Sequence, residues 1–116
     1  MANALVSRWF SEDSVQSKPA LMEFWQQQLM KVDNHSYDLL CAWLGNTDLT
    51  KKHGIKNVKT QLICGEKDVA TTPELMNNLA SLMHIDSTIQ LDHVGHVPSV
   101  ESPKALADIL KSFISS

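Results

Sequence analysis

Two titratable residues of the sequence, Asp68 and His96, stand just after short apolar runs and could together move a proton. Asp68 follows the run TQLIC and the turn residues Gly-Glu-Lys, and His96 follows the run TIQL and residues 92–95. An imidazole titrates near neutral pH, so it can take a proton from a hydroxyl and return it to a leaving group. A carboxylate beside it holds its tautomer. We therefore predict Asp68 as an orienting acid and His96 as a general base.

The residues around this pair predict a strand, a helix and a second strand. The runs at 60–64 and 88–91 are short and favour β-structure. Between them, Thr72-Pro73 reads as a helix N-cap and first turn, followed by apolar residues that we expect to face the sheet: Leu75, Met76, Leu79, Leu82 and Met83. The carboxyl ends of two parallel strands joined by a crossover helix meet at one edge of the sheet, where ligands bind. Asp68 and His96 are therefore expected to be neighbours.

These two loops resemble those of the α/β-hydrolase family, whose triad runs nucleophile, acid, histidine along the chain. The segment GEKDVATTP at 65–73 resembles the acid loop, and GH at 95–96 with ESP at 101–103 resembles the histidine loop and the start of the last helix. Upstream, RWF at 8–10, Tyr37 and DL at 48–49 resemble the cap region of 3-oxoadipate enol-lactonases and similar lactone hydrolases. The resemblance covers nearly all 116 residues but only the C-terminal half of such an enzyme.

The resemblance implies an α/β fold that is the C-terminal half of an α/β-hydrolase. Residues 1–54 would form a helical cap-like portion, and residues 55–116 a β-α-β-α portion of the hydrolase core with an incomplete parallel sheet. Asp68 and His96 would be catalytic, and Trp43 and Trp25 would contact a small ester or lactone in the complete enzyme. No cofactor and no metal are expected.

The 116 residues contain neither a G-x-S-x-G elbow nor an oxyanion loop of the H-G-G-G type. The resemblance therefore implies a partial hydrolase that supplies the acid and histidine of a Ser-His-Asp triad and is inactive alone. Two other functions remain open, a non-catalytic interaction module and a truncated gene product that retains the half-fold. Because exposed strand edges recruit partners, we expect self-association or docking of a separate N-terminal hydrolase half.

Composition and charge indicate a single globular domain. Hydrophobic residues make up 43% and charged residues 20% of the chain, which is typical of a soluble protein with a modest core. The net charge of −3 argues against a nucleic-acid or membrane-surface partner. No apolar stretch reaches the roughly 18 residues of a membrane span, and Cys41 and Cys64 are expected to be reduced, buried thiols, so we predict a cytoplasmic protein.

Each candidate residue also has a structural interpretation. Asp68 could bond its own turn backbone, and His96 could be a structural histidine. His93 and His96, spaced i, i+3 beside Asp92, could be metal ligands, although no third His or Cys has matching spacing. Glu101 is expected to bond loop backbone. The remaining histidines are expected on the surface or in turns: His35, His53 and His84.

The first half of the sequence has helical patterns. We predict a short helix or turn within residues 1–10, then a helix from an N-cap at Ser17 to about Val32. Its apolar stripe is expected to pack in the core: Leu21, Phe24, Trp25, Gln28 and Leu29. A further helix over 37–44 should end at Gly45-Asn46, followed by a helical turn over 48–54. At the other end, Ser102-Pro103 predicts a last helix lying against the sheet through Leu106, Ile109, Leu110 and Phe113.

Overall fold

A computed structural model describes residues 2–48 and 58–116 of the chain. Helices α1 to α4 form the N-terminal portion, and two strands and three helices follow. In chain order the elements are α1 (Ala2–Trp9), α2 (Glu12–Ser17), α3 (Pro19–Met30), α4 (Asn34–Asn46), β1 (Leu62–Gly65), α5 (Pro73–Met83), β2 (Thr88–Leu91), α6 (Pro98–Glu101) and α7 (Pro103–Ser115). The predicted order of a helical portion followed by β-α-β-α is confirmed, while α2 and α6 were not predicted. The boundary at 54/55, the helical turn over 48–54 and His53 lie at or within the residues outside this description.

The two strands pair in parallel, as the sequence predicted. Leu62 lies opposite Thr88, and Gly65 lies opposite Leu91. Strand β2 has the predicted bounds, but β1 begins at Leu62, two residues later than expected. Lys59, which precedes β1, contacts the C-terminal end of the chain just after α7. Its Nζ donates to Ser116 Oγ at 2.7 Å.

Helix α5 crosses between the strands. Its N-cap is Thr72, whose hydroxyl accepts from the Leu75 amide at 3.4 Å, and proline stands in its first turn. The helix packs against both strands, and Ala80 is its buried residue. The expectation that Leu75 and Leu82 are buried is wrong, since they are 54% and 46% exposed. Two strands are narrow, so they cover only one stripe of the helix.

Helix α7 lies over β2 less closely than predicted. Ile109 and Phe113 of α7 line a cavity of about 220 Å³ together with Ile89 of β2. Leu110 was expected on this face but is 44% exposed. Ser102 precedes the helix as predicted, yet its side chain makes no capping hydrogen bond.

The main apolar cluster lies in the N-terminal portion, where α1 packs on α3. Val6, Phe10 and Met22 are its buried members. Around them pack partly buried side chains from α1, α2, α3 and the α6 region: Trp9, Val15, Leu21, Trp25, Leu29, Val97 and Val100. The cluster therefore joins the helical portion to the segment that follows His96.

Two details of α3 differ from the sequence prediction. Phe24 is 49% exposed because Met22, rather than Phe24, occupies the core-facing position. Ser17 is not the N-cap of α3 but the last residue of α2, where its hydroxyl donates to the Asp13 carbonyl at 2.6 Å. The sequence prediction therefore missed α2, which is separated from α3 by Lys18 alone.

Helix α4 ends at Asn46, as Gly45-Asn46 predicted, but it has no buried residue. Cys41 on this helix is exposed, so the expectation of a buried thiol is wrong there, whereas Cys64 in β1 is only 3% exposed. Both cysteines are free thiols. The apolar residues of α4 are exposed as well: Leu39, Leu40, Trp43 and Leu44.

Within residues 2–48 and 58–116, every helix is too short or too polar to cross a membrane. The cytoplasmic location stays a prediction.

Candidate active site

Asp68 follows β1 and is held by its own loop. Its Oδ1 accepts hydrogen bonds from the backbone amides of Ala70 at 2.8 Å and Thr71 at 2.9 Å. This is the turn-forming role that the sequence offered as the structural interpretation. The residue is buried, and the same turn leaves Oδ2 to make a second set of bonds.

His96 meets that second oxygen. Its Nδ1 lies 2.9 Å from Asp68 Oδ2, so Asp68 and His96 are neighbours as predicted. The acceptor is a carboxylate, so this geometry assigns the proton to Nδ1 and leaves Nε2 as the acceptor. The carboxyl side chain is 4% exposed and the imidazole 37% exposed. The pair therefore presents one imidazole edge to solvent and keeps its carboxylate inside.

Thr71 completes the carboxylate's hydrogen bonds. Its hydroxyl donates to Asp68 Oδ2 at 2.8 Å and lies 3.3 Å from His96 Nδ1. Thr71 was not among the site residues predicted from the sequence. A hydroxyl residue three positions after a turn aspartate is the signal that could have identified it.

The pKa of Asp68 reflects two opposing effects. Burial raises this pKa, but the hydrogen bond from His96 and those from Thr71 and Ala70 outweigh it, so the pKa lies below the ordinary value of 3.8. Asp68 is therefore a carboxylate at neutral pH. Nearby, burial and the charge of Asp68 raise the pKa of the Cys64 thiol, so Cys64 stays protonated.

Backbone contacts hold the two loops together. The amide of Glu66 donates to the Leu91 carbonyl at 2.9 Å, and the amide of Lys67 donates to the Val94 carbonyl at 2.8 Å. Gly65 permits this approach, because a Cβ there would overlap the backbone oxygens of Val94 and Gly95. The pairing of β1 with β2 thus continues into the turns that carry Asp68 and His96.

The histidine loop also contacts the N-terminal portion. The His96 amide donates to the Trp9 carbonyl at 2.7 Å. Glu101 bonds loop backbone as predicted, since its carboxylate accepts from the amide of Gly95 at 2.5 Å. Its other oxygen accepts from the amide of Ser11 at 2.7 Å, a partner the sequence did not indicate because it lies 90 residues away.

His93 belongs to a different pair from His96. Its Nδ1 lies 3.4 Å from Asp13 Oδ2, and both side chains are largely exposed. Its backbone has a left-handed φ of 59°, and its amide donates to Glu66 Oε2 at 3.0 Å. Among the described residues, no group of three or more His, Cys, Asp or Glu side chains is arranged to hold a metal. His35 and His84 are exposed, as predicted.

The two tryptophans named as substrate contacts lie in different surroundings. Trp25 packs beside the apolar cluster and meets Phe24 edge to face, with ring centroids 5.5 Å apart. Its indole nitrogen is buried and has no hydrogen-bond partner in the part of the chain described. Trp43 on α4 is 59% exposed. Contact of either with substrate stays a prediction.

Two solved structures resemble this chain along almost its whole length. The enol-lactonase from Burkholderia xenovorans LB400 matches with a TM-score of 0.88 and 25% sequence identity, over 99% of this chain and 44% of that one. A thermophilic esterase from Thermogutta terrifontis, solved with malate bound, matches with a TM-score of 0.86 and 17% identity, over 98% of this chain and 42% of that one. No protein-family model and no curated protein matches the sequence.

Both neighbours are α/β-hydrolases, and the chain has the fold of part of an α/β-hydrolase. It spans less than half the length of either neighbour. The predicted resemblance to enol-lactonases and the predicted fold class are thereby confirmed.

Proposed function

We propose that this chain supplies the acid and the base of a Ser-His-Asp triad in a cofactor-independent hydrolase of esters or lactones. The observation that carries the proposal is the 2.9 Å contact between the buried Asp68 carboxylate and His96 Nδ1. A buried carboxylate that fixes one imidazole nitrogen leaves the other as a base. The resemblance to an enol-lactonase and an esterase supports the reaction class.

In the proposed reaction, His96 Nε2 takes the proton of a serine hydroxyl while the serine oxygen attacks the acyl carbon. Asp68 stabilises the imidazolium through Nδ1–H and remains a carboxylate. The imidazolium then protonates the leaving alkoxide as the acyl–oxygen bond breaks. Water then attacks the acyl carbon while the same imidazole takes its proton, and the imidazolium passes that proton to the serine oxygen as the acyl–serine bond breaks, which releases the acid and restores the serine. In a lactone, the leaving oxygen stays attached to the product acid.

The serine and the oxyanion donors must come from outside these 116 residues, because the sequence has no nucleophile elbow. We propose that a complementary N-terminal hydrolase half docks on this chain, since self-association alone would supply no nucleophile. Support comes from β1 and β2, which form a two-stranded sheet in the described part, and from the exposed apolar residues of α4.

The proposed substrate is a small ester or lactone, by analogy with the enol-lactonase and the esterase. We propose that Trp43 and Trp25 line its site in the complete enzyme. An exposed indole on α4 offers apolar contact area, and the buried indole N–H of Trp25 is a donor without an acceptor among the described residues.

The test is a chimera in which this chain replaces the matching 44% of the B. xenovorans enol-lactonase. We expect the chimera to hydrolyse an activated aryl ester and the 116-residue chain alone to be no faster than free imidazole. His96→Ala and Asp68→Ala should each lower the chimera's rate by about 10⁴-fold or more, as removal of triad members does elsewhere. His93→Ala is the matched control and should leave the rate unchanged, because His93 faces Asp13.

A folded chimera without esterase activity would contradict the proposal, and so would His96→Ala activity equal to that of the parent. Either result would favour the alternatives, a non-catalytic interaction module or a truncated gene product that retains the half-fold. Turnover by the isolated chain well above imidazole would instead contradict the argument that its nucleophile lies elsewhere.

A further inference from the structure

We infer that Glu101 is a positioning residue for His96, which it holds by joining the histidine loop to the corner between α1 and α2. The inference rests on the proposed function, in which His96 is the base. Within the described part of the chain, the Glu101 carboxylate bonds the amides of Ser11 and Gly95 and makes no hydrogen bond to Asp68 or the imidazole, so its effect would pass through the backbone of Gly95 and His96.

The Glu101 carboxylate divides its two oxygens between two segments. Oε1 accepts from the Ser11 amide at 2.7 Å, and Oε2 accepts from the Gly95 amide at 2.5 Å. Glu101 is 9% exposed and Ser11 is 2% exposed, so water does not compete freely for these bonds. Both donors are backbone amides, so the carboxylate fixes the main chain at Ser11 and at Gly95 and does not merely order a side chain.

Two further contacts close the same junction. The His96 amide donates to the Trp9 carbonyl at 2.7 Å. A Cβ on Gly95 would lie 2.7 Å from the Ser11 nitrogen and 2.8 Å from the Phe10 carbonyl carbon and the Trp9 oxygen. Only glycine permits this approach, so residues 95 and 96 are seated directly on the α1–α2 corner.

The junction requires a carboxylate. Two amide donors need two acceptor oxygens, and glutamine would offer one oxygen while turning its NH₂ group toward the other donor. Glu101→Gln therefore breaks one of the two bonds while keeping the size of the side chain. Since the next residue after Gly95 is His96, movement at that bond changes the distance between Nδ1 and Asp68 Oδ2.

The tautomer of His96 gives a readout that a purely structural role would not change. A neutral imidazole free in water favours the proton on Nε2, whereas the bond to Asp68 holds it on Nδ1. The ¹⁵N shifts of the imidazole, measured above neutral pH in the 116-residue chain, report which nitrogen is protonated. Circular dichroism of the same samples reports whether the fold is kept.

We expect the parent to hold His96 in the Nδ1–H form. Glu101→Gln and Gly95→Ala should each lower the Nδ1–H fraction at least twofold while the helical signal is retained. The matched controls are Glu23→Gln, at an exposed glutamate of α3, and Gly45→Ala, where an added Cβ meets nothing within 4 Å. Both controls should keep the parental tautomer.

Asp68→Asn separates this inference from the proposed function, because its amide would face Nδ1 as a donor and move the proton to Nε2. If Asp68→Asn leaves the tautomer unchanged, the Asp68–His96 pair itself is wrong. If it shifts the tautomer but Glu101→Gln and Gly95→Ala do not, the pair stands and the positioning role is overturned. If Glu101→Gln and Gly95→Ala both unfold, so that no folded species can be measured, the positioning role is also overturned, because the junction would then serve folding and nothing further.

Discussion

At the scale of single residues, the candidate site depends on the hydrogen bonds that both oxygens of the Asp68 carboxylate accept. Asp68 accepts two backbone amides on one oxygen, and the Thr71 hydroxyl and His96 on the other. A buried charge is tolerated only when it is hydrogen-bonded in this way. The turn that satisfies Asp68 therefore also aims it at the imidazole, so its structural and catalytic interpretations are compatible.

The pKa of Asp68 predicts a pH dependence of stability. Because its folded-state pKa lies below the ordinary value, the carboxylate stabilises the fold fully above the unfolded pKa, and this contribution is lost as the pH falls through the folded pKa. Asp68→Asn should lower the free energy of unfolding by about 2 kcal/mol near pH 6. The difference from the parent should shrink between about pH 5 and pH 3.

Urea unfolding followed by circular dichroism across this pH range measures the difference. Asp86→Asn, the same change at an exposed carboxylate, is the control and should stay close to the parent throughout. A difference for Asp68→Asn that is constant with pH would contradict the lowered pKa.

At the scale of secondary-structure elements, the ends of α5 set the geometry of the crossover between the two strands. Thr72 caps the start of the helix, and His84 ends it in the left-handed conformation with φ 56° and ψ 42°. The Ile85 amide then returns to the Ala80 carbonyl at 2.9 Å. Glycine is the usual residue for this position because a Cβ is strained there.

His84→Gly is therefore expected to stabilise the chain by about 0.5 to 1 kcal/mol, since relief of the strained backbone outweighs the greater freedom of glycine in the unfolded state. The exposed imidazole contributes little that would be lost. His84→Ala is the matched control, because it removes the same side chain but keeps the Cβ, and it should give no gain. Thermal and urea unfolding would measure both, and equal effects of the two variants would refute the backbone explanation.

At the scale of the whole molecule, the described part of the chain exposes more large apolar side chains than it buries. Its radius of gyration is 16.0 Å, whereas a compact domain of this length has about 13 Å. Helix α4 has no buried residue, although isolated helices of this length are marginal in water. These features are expected of a structure that is completed by another chain or segment.

We therefore predict that the chain associates with itself in solution through the exposed apolar face of α4. Light scattering should give a mass that rises with concentration. The double variant Leu40→Glu with Leu44→Glu should weaken association at least about tenfold, since burying a leucine contributes about 1.5 to 3 kcal/mol. Ile114→Glu is the control, because it places the same charge on a residue of α7 that is 80% exposed and lies outside α4.

A stable monomer at high concentration would contradict the prediction of association. If the double variant associates as the parent does, the contact lies elsewhere, and the open edges of the two-stranded sheet become the next surface to test.

The sequence by itself determined the elements around the site and the pair at its centre. Local patterns were enough for β2, for the cap of α5 and for the meeting of Asp68 with His96, because parallel strands joined by a helix must end at one edge. The role of Glu101 in bonding loop backbone was also visible from the sequence.

Only the tertiary structure decided what each element packs against. Burial depends on contacts far apart in the sequence, so periodicity alone misassigned Phe24, Leu75, Leu82 and Leu110. The bond between Glu101 and Ser11 joins residues 90 positions apart, and no local pattern could have indicated it. Apolar periodicity identifies the face of a helix that requires a partner, but only the fold shows whether another part of the chain covers that face. For α4, the described residues do not cover it.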